Sequence, residues 1–491
     1  MARRKKTAKT IEGVKIEKMG SEGKCLGQLP DDRVVFVPYS APGDIVDIRL
    51  GRSRKSYAEG VITKIVSPSP YRITPRCQHF GLCGGCKWQH LPYSLQLEGK
   101  QQQVYDQLER IGHLSVKEKH PIIGAEEIYD YRNKLEFTFS NRRWLTEAEV
   151  AEDETYPARF YEGLGFHIPG RFDKVLDIQT CHLQNDLSNR IRLFIKDYCH
   201  KHSGYPFYDL RNHEGYMRTL MIRTSSNGEV MVVVVFAYEE SEKREALLSS
   251  IQKTFPEITS LMYVINDKLN DSLGDQEVLL YSGADHIWEE MEGLRYKIGP
   301  KSFYQTNSQQ SYHLYQEVRR LAQLKGNELV YDLYTGTGTI ASFVSRSAKR
   351  VIGIEYVPEA IDDAKINAQV NGLDNLTFFA GDMKDILTTD FIKEYGQPDV
   401  VITDPPRAGM HPSVVEVLLQ TAPKRIVYVS CNPATQARDV SMMSEQYEVV
   451  ASQPVDMFPH TSHVENILLL ELKQGANNNS GTDIAETRLT D

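Results

Sequence analysis

The chain reads as a multidomain α/β protein: a small OB-type β-barrel, an α+β central domain, and a C-terminal doubly wound, Rossmann-like domain. Three patterns carry that reading. Short β runs separated by Gly/Pro turns fill residues 13–66, as small barrels require. Strand patterns mixed with a helix fill residues 130–300, and from about Lys301 strands and helices alternate regularly, which is the signature of a mostly parallel sheet. With 491 residues there is material for two or three cores. The expected division is 1–70, 71–300 and 301–474, followed by a polar, disordered tail at 475–491.

In the first part the β runs are GVKIEKMG, RVVFVPYS, DIVDIRLG and EGVITKIVSPSP. Phe36, Tyr39 and Tyr57 offer rings for base stacking, and Phe36 serves equally well as barrel core. Charge supports a polyanion partner. The formal net charge is −9, yet residues 1–76 carry sixteen Lys/Arg against eight Asp/Glu, leaving −17 on the remainder. A solvated basic tail accounts for Arg3 to Lys9. It accounts poorly for Arg49, Arg52, Arg54 and Lys55, which lie between strand-like runs, so nucleic acid is the favoured reading.

The second part opens on a Cys-, Gly- and Pro-dense stretch, YRITPRCQHFGLCGGCKWQHLPY. An amphipathic helix over 93–113 follows, with Leu95, Val104, Leu108 and Ile111 at helical spacing, expected to pack on the C-terminal domain. KLEFTFS, YMRTLMIRTS, EVMVVVVFAY and SLMYVIND read as strands of an expected antiparallel sheet, and LSNRIRLFIKDYCHKH as a helix. WLTEAEVAEDETYPARF reads as an acidic surface loop. In the last part the strands ELVYDLY, RVIGIEY, LTFFAGD, DVVITDP and RIVYVSC alternate with helices. EVVASQPVDMF and NILLLELK are joined by a connector too short for a crossover, so the final strand is expected to run antiparallel.

No apolar stretch approaches a membrane span, and MARRKKTAK lacks the apolar segment of a signal peptide. The expected compartment is the cytoplasm, where disulfides are disfavoured.

Chemistry concentrates at the strand ends. VYDLYTGTGTIA sets Gly336 and Gly338 between a strand and a helix, where backbone can approach a ligand at the helix N-terminus. Glu355, ending the next strand, can accept from ribose hydroxyls. NAD and S-adenosylmethionine both satisfy these features. Asp404-Pro405-Pro406-Arg407 favours the second, because a rigid carbonyl-lined turn has no evident use in hydride transfer. Arg407 stands where amino-methylating enzymes usually carry an aromatic, and so points away from that chemistry. Cys431 follows the buried run IVYV at the carboxyl edge of the sheet. Most free cysteines are small buried hydrophobes; this position, with Ser430 and Asn432 beside it and a helix N-terminus next to it, suits a thiolate nucleophile. Glu465, on the final hairpin, is a base candidate.

Cys77, Cys83 and Cys86 form C-x5-C-G-G-C, and such thiols in a reducing compartment indicate zinc or iron–sulfur. Cys181 or Cys199 can complete the set, while Cys25 reads as an ordinary packed cysteine.

Taken together, CQHFGLCGGCKWQH, SFYQTN, DLYTGTGTI, DPPRAG, SCNP and HTSHVEN resemble those of RNA uracil-C5 methyltransferases. The likeness is to the 23S ribosomal RNA (uracil-5-)-methyltransferase branch with a TRAM domain and a [4Fe-4S] cluster, and it spans Gly13 to about Leu472. The resemblance implies a TRAM barrel, an S-adenosylmethionine methyltransferase domain, and Cys77, Cys83, Cys86 and Cys181 as cluster ligands. It implies Gln305, Tyr334, Thr339, Glu355, Asp382 and Asp404 around S-adenosylmethionine and the target base, Cys431 as nucleophile and Glu465 as general base. The turn Gly338-Thr339-Ile340 departs from relatives, which often have Asn-Phe there. The implied partner is RNA, ribosomal rather than transfer RNA, with the chain a monomer that needs no membrane and no obligate protein partner. A transfer RNA or dual-site ribosomal enzyme is the alternative, and an NAD-dependent oxidoreductase or a non-catalytic RNA-binding factor are the remote ones.

Overall fold

The structure, a computed structural model, describes residues 9–146, 149–150 and 157–475. The basic residues 1–8, most of the acidic stretch and the tail from 476 lie outside them, as do the expectations placed there. The chain divides into two compact units. One takes the residues up to Gln103, Gly124–Ser311 and Met457–His463; the other takes Val104–Ile123, Tyr312–Asp456 and the residues from Val464.

In the first unit five strands close into a barrel in the order Thr10–Met19, Lys24–Gln28, Val34–Pro38, Tyr57–Ser67, Ile45–Ser53. Alternation puts Val14, Ile16, Val35, Val37, Val46 and Ile48 inside. The strand Lys24–Gln28 was not among the expected β runs. Its inward residues are Cys25 and Gly27, which carry little of the β-branched signal that marks a strand. Phe36 and Tyr57 meet edge-to-face at 5.8 Å on the half-exposed side, whereas Tyr39 packs on Phe80 of the cysteine segment at 5.6 Å. Buried Asp44 fastens the barrel's exit, accepting from the Ser69 amide at 2.8 Å and from Arg72 Nε and Nη2 at 2.8 and 2.7 Å.

The same unit holds a seven-stranded sheet ordered Leu279–Gly283, Ser260–Ile265, Val230–Phe236, Met217–Thr224, Lys134–Ser140, Gly163–Ile168, Arg171–Asp177. Its pairings are antiparallel except between Val230–Phe236 and Ser260–Ile265, which are joined through the helix Ser241–Thr254. The sheet is therefore mixed, because that helical crossover returns the chain in the same direction.

The second unit is an eight-stranded sheet ordered Leu376–Ala380, Arg350–Glu355, Leu329–Leu333, Val400–Thr403, Arg425–Ser430, Glu465–Leu472, Tyr447–Val455, Val116–Lys119. The first five strands pair in parallel, and Glu465–Leu472 runs antiparallel to both of its neighbours, as the short connector requires. The helix Tyr93–Arg110 ends slightly before its expected limit, and its residues Val104 and Leu108 are buried in this unit's core. The connector Met457–His463 counts with the first unit, where the Lys87 and Trp88 amides donate to the His460 carbonyl at 2.7 and 3.1 Å.

Candidate active site

The carboxyl ends of the parallel strands of the second unit gather most of the residues singled out above. Strand Leu329–Leu333 runs into Tyr334, held at φ 64, and the glycine turn. At Gly336, with φ 55, the space where a Cβ would stand is open, while at Gly338 a Cβ would meet Ala364 at 2.9 Å. Gly338 thus fits the turn against the sheet, and Gly336 leaves room for a ligand. Glu355 Oε2 accepts from the Gly336 amide at 3.1 Å, and the Glu355 carbonyl accepts from Gly381 at 2.8 Å, which brings Asp382 to the same edge. Asp382 caps the short helix Met383–Ile386 and pairs with Lys384 at 3.0 Å. Thr339 opens the helix Thr339–Ser345 and is buried.

Asp404 follows the strand Val400–Thr403, its amide reaching the Leu333 carbonyl at 3.3 Å. Cys431 follows Ser430, which pairs with Asn466, so the antiparallel register brings Glu465 alongside. Charges on Glu465 and Asp404 act on the Cys431 thiol, and Arg407 hydrogen-bonds to it. Burial first, then those two carboxylates, push the thiol up to about 11 against the pull of Arg407. Burial thus opposes the thiolate that Arg407 favours. Burial and the neighbouring Asp404 push Glu465 up to about 8. Burial likewise raises Asp404 and Asp332 to about 7.

Residues 285–473 match the family model for tRNA (uracil-5-)-methyltransferases, and residues 5–63 match the TRAM domain. An uncharacterized RNA methyltransferase of Porphyromonas gingivalis is 60% identical over 461 residues, spanning 93% of this chain and 99% of the relative. The chain belongs to the RNA uracil-5 methyltransferase family. A second uncharacterized RNA methyltransferase, from Bacteroides thetaiotaomicron, is 58% identical, spanning 93% of this chain and all 100% of the relative. The crystal structure of Pyrococcus abyssi tRNA (uracil-54, C5)-methyltransferase in complex with S-adenosyl-L-homocysteine superposes with a TM-score of 0.71 at 29% identity, covering 94% of this chain and 100% of that one. This is an S-adenosylmethionine-dependent RNA methyltransferase with an N-terminal TRAM domain.

In the methyltransferase's first unit, Cys77, Cys83, Cys86 and Cys181 line one cavity of about 290 Å³, together with His79, Phe80 and Gln89. Gln89 links two of these cysteines, donating to Cys86 Sγ at 3.2 Å and accepting from the Cys77 backbone amide at 3.0 Å. Cys199 lies instead in the core of the seven-stranded sheet, and Cys25 in the barrel core, donating to the Ser40 carbonyl at 3.1 Å. Among the described residues, no group of three or more His, Cys, Asp or Glu is disposed to hold a metal ion. Gln305 belongs to this unit too, its carbonyl accepting from Asn133 Nδ2 at 2.9 Å. Among the described residues no helix is long and apolar enough to cross a membrane.

Sequence reasoning missed three contributors. Arg407 was quoted in DPPRAG only to exclude amino methylation, and Gln89 lay unremarked beside the cysteines. Asp332 stood in the strand motif, where its Oδ2 accepts from Thr335 Oγ1 at 2.5 Å and the Ala341 amide at 3.0 Å.

A buried carboxyl raised in this way gives a stability signature. The folded protein holds the Glu465 proton more tightly than the unfolded chain, whose carboxyl titrates near about 4.3. That contribution is present in full below the unfolded value and lost as pH rises through about 8. Glu465→Gln cannot ionise, so its melting temperature should match the wild type near about pH 4.5 and exceed it by a few degrees above about pH 8. Paired thermal melts across that range check this; a constant difference refutes the burial argument.

Proposed function

We propose that this methyltransferase methylates C5 of a specific uridine in 23S ribosomal RNA through a transient covalent bond between Cys431 and C6 of the base. The observation that carries the reading is the grouping of Cys431, Glu465, Asp404 and Arg407 at the strand ends beside the glycine turn. C5 of uracil is a weak nucleophile. Addition of the Cys431 sulfur to C6 shifts the C5–C6 electron pair toward C5 and O4 and so makes C5 nucleophilic. Arg407, bonded to the sulfur, favours its anionic form.

S-adenosylmethionine supplies an electrophilic methyl group, which C5 takes as the donor's sulfonium becomes a neutral thioether. The open space at Gly336 and the acceptor Glu355 suit an adenosyl group, with Tyr334, Thr339, Asp382 and Asp404 completing the proposed binding set in this unit. Glu465 then removes the C5 proton as its carboxylate; the C5–C6 double bond re-forms and the C6–S bond breaks, returning the thiolate. A stacked base is out of reach of this site, so the target uridine is flipped out of a folded loop. The TRAM barrel, with exposed Arg49, Arg52, Arg54 and Lys55, would grip flanking phosphates in the cytoplasm.

We also assign Cys77, Cys83, Cys86 and Cys181 to a [4Fe-4S] cluster. Four thiols lining one cavity supply the soft ligand set that iron–sulfur clusters take. Bound iron would neutralise thiolates that burial otherwise disfavours, and Gln89 would donate to a ligand sulfur. Anaerobically purified protein is expected to be brown with about four irons per chain, and Cys181→Ser to lose that iron while Cys199→Ser keeps it. A colourless protein, or loss of iron only with Cys199→Ser, sinks the assignment.

Transfer RNA is the second reading, favoured by the near-complete overlap with the tRNA (uracil-54, C5)-methyltransferase structure. Methyl transfer from labelled S-adenosylmethionine to unmodified 23S ribosomal RNA and to unmodified transfer RNA, with 5-methyluridine mapped in each, decides between them. Labelling of transfer RNA alone would overturn the ribosomal target, and labelling of neither would overturn the function.

A further inference from the structure

Asp439 lies in the helix Pro433–Met443, and its side chain has no solvent exposure. Its Oδ2 accepts from the Tyr428 hydroxyl at 2.6 Å and from the Met410 amide at 2.7 Å, while its Oδ1 accepts from Arg438 Nε at 2.9 Å and Nη2 at 2.6 Å. The same Arg438 Nη2 donates to the Ala408 carbonyl at 2.8 Å. The Arg407 carbonyl is taken by Asn432 Nδ2 at 3.0 Å and Thr435 Oγ1 at 3.1 Å. The bonds to Met410, Ala408 and Arg407 tie the loop after Asp404-Pro405-Pro406 to the helix and to Asn432, while that from Tyr428 ties the same carboxylate to the strand before Cys431. The fit leaves no slack: Gly409 has φ 82, and a Cβ there would stand 2.4 Å from Asp439 Oδ2.

A buried carboxylate is costly unless its lone pairs are filled, and four donor contacts fill this one. They do so by fixing Met410 and, through Arg438, Ala408, the two residues that leave Arg407 little freedom of its own. We propose that Asp439 is a positioning residue for methyl transfer: it fastens the loop Arg407–Met410 to the helix Pro433–Met443 and so holds the Arg407 guanidinium against the Cys431 sulfur. The proposal rests on reading Cys431 as the nucleophile. Asn cannot replace the carboxylate. One orientation sets an amide donor against the Met410 N–H and the other sets it against Arg438, which has donors only.

The charged groups facing Cys431 are Glu465, Asp404 and Arg407, and only Arg407 favours the thiolate. Displacing it therefore changes the reactivity of the sulfur. The experiment follows alkylation of Cys431 by iodoacetamide in the full chain from about pH 6 to 10, quantifying the Cys431 peptide by mass spectrometry. Asp439→Asn is expected to slow alkylation about tenfold at each pH across that range, as a thiol raised by about one unit requires. Arg407→Gln should do the same, and the double variant no more than Arg407→Gln alone. A purely structural Asp439 would lower the melting temperature and leave the alkylation profile in place; that result, or additive effects in the double variant, overturns the proposal. Should Asp439→Asn fail to fold, Thr435→Ala removes a single hydroxyl bond to the loop and must shift the profile the same way, and an unmoved profile overturns the proposal equally. Failure of the nucleophile reading shows separately, as turnover by Cys431→Ala with the alkylation shift in Asp439→Asn intact.

Discussion

Cys431→Ala is expected to lose methyl transfer by on the order of 10⁴-fold or more, while RNA affinity stays within about a factor of two. The size of the loss follows from the chemistry assigned to the sulfur. Without an adduct at C6, C5 retains the low nucleophilicity of a conjugated ring, and neither Arg407 nor Glu465 can supply the missing electron pair. Affinity is spared because the change removes one small, half-buried side chain, whereas binding to RNA draws on phosphate contacts spread over basic surfaces. Single-turnover transfer of labelled methyl and a filter-binding titration at fixed salt separate the two quantities. Turnover near the wild-type rate would remove the nucleophile, and a parallel collapse of RNA binding would show that the substitution had disturbed more than chemistry.

The placement of the proposed reactive residues was readable because each sits at an element boundary. Ser430 ends a buried strand, so Cys431 had to emerge at the carboxyl edge of the sheet. The short link before Glu465 required an antiparallel return, and that return sets Asn466 opposite Ser430. Strand Lys24–Gln28 escaped because Cys25 and Gly27 imitate a turn segment more than a strand. Arg407 escaped for a different reason: its partners Cys431 and Glu465 are remote in sequence, and nothing local marks a guanidinium for either. Asp439 shares that property, since the fold brings Met410 against it; Gln89 stands three residues from Cys86, but a glutamine there carries no local mark of a sulfur contact. The desolvation that raises the Cys431 thiol arises from distant packing and leaves no local mark in the sequence.

Glu465→Gln isolates the last step. The variant should still form the bond between Cys431 and C6 and transfer the methyl group once, since neither event needs the Glu465 carboxylate. It should then stall with RNA attached, visible as a slowly migrating band on a denaturing gel, and multiple turnover should fall by about 10³-fold. The stall tests whether Asp404 can substitute as base. Both carboxyls are buried and raised, Glu465 to about 8 and Asp404 to about 7, so protonation alone does not choose between them. The register does, because Glu465 sits one residue from the Asn466–Ser430 pair that adjoins Cys431. Only the carboxylate form accepts a proton, so release of product by the wild type should quicken as pH rises toward and past about 8, while the residual rate of Glu465→Gln stays flat. A variant that turns over freely with no trapped complex would shift the base role to Asp404, and Asp404→Asn would then have to show the stall instead.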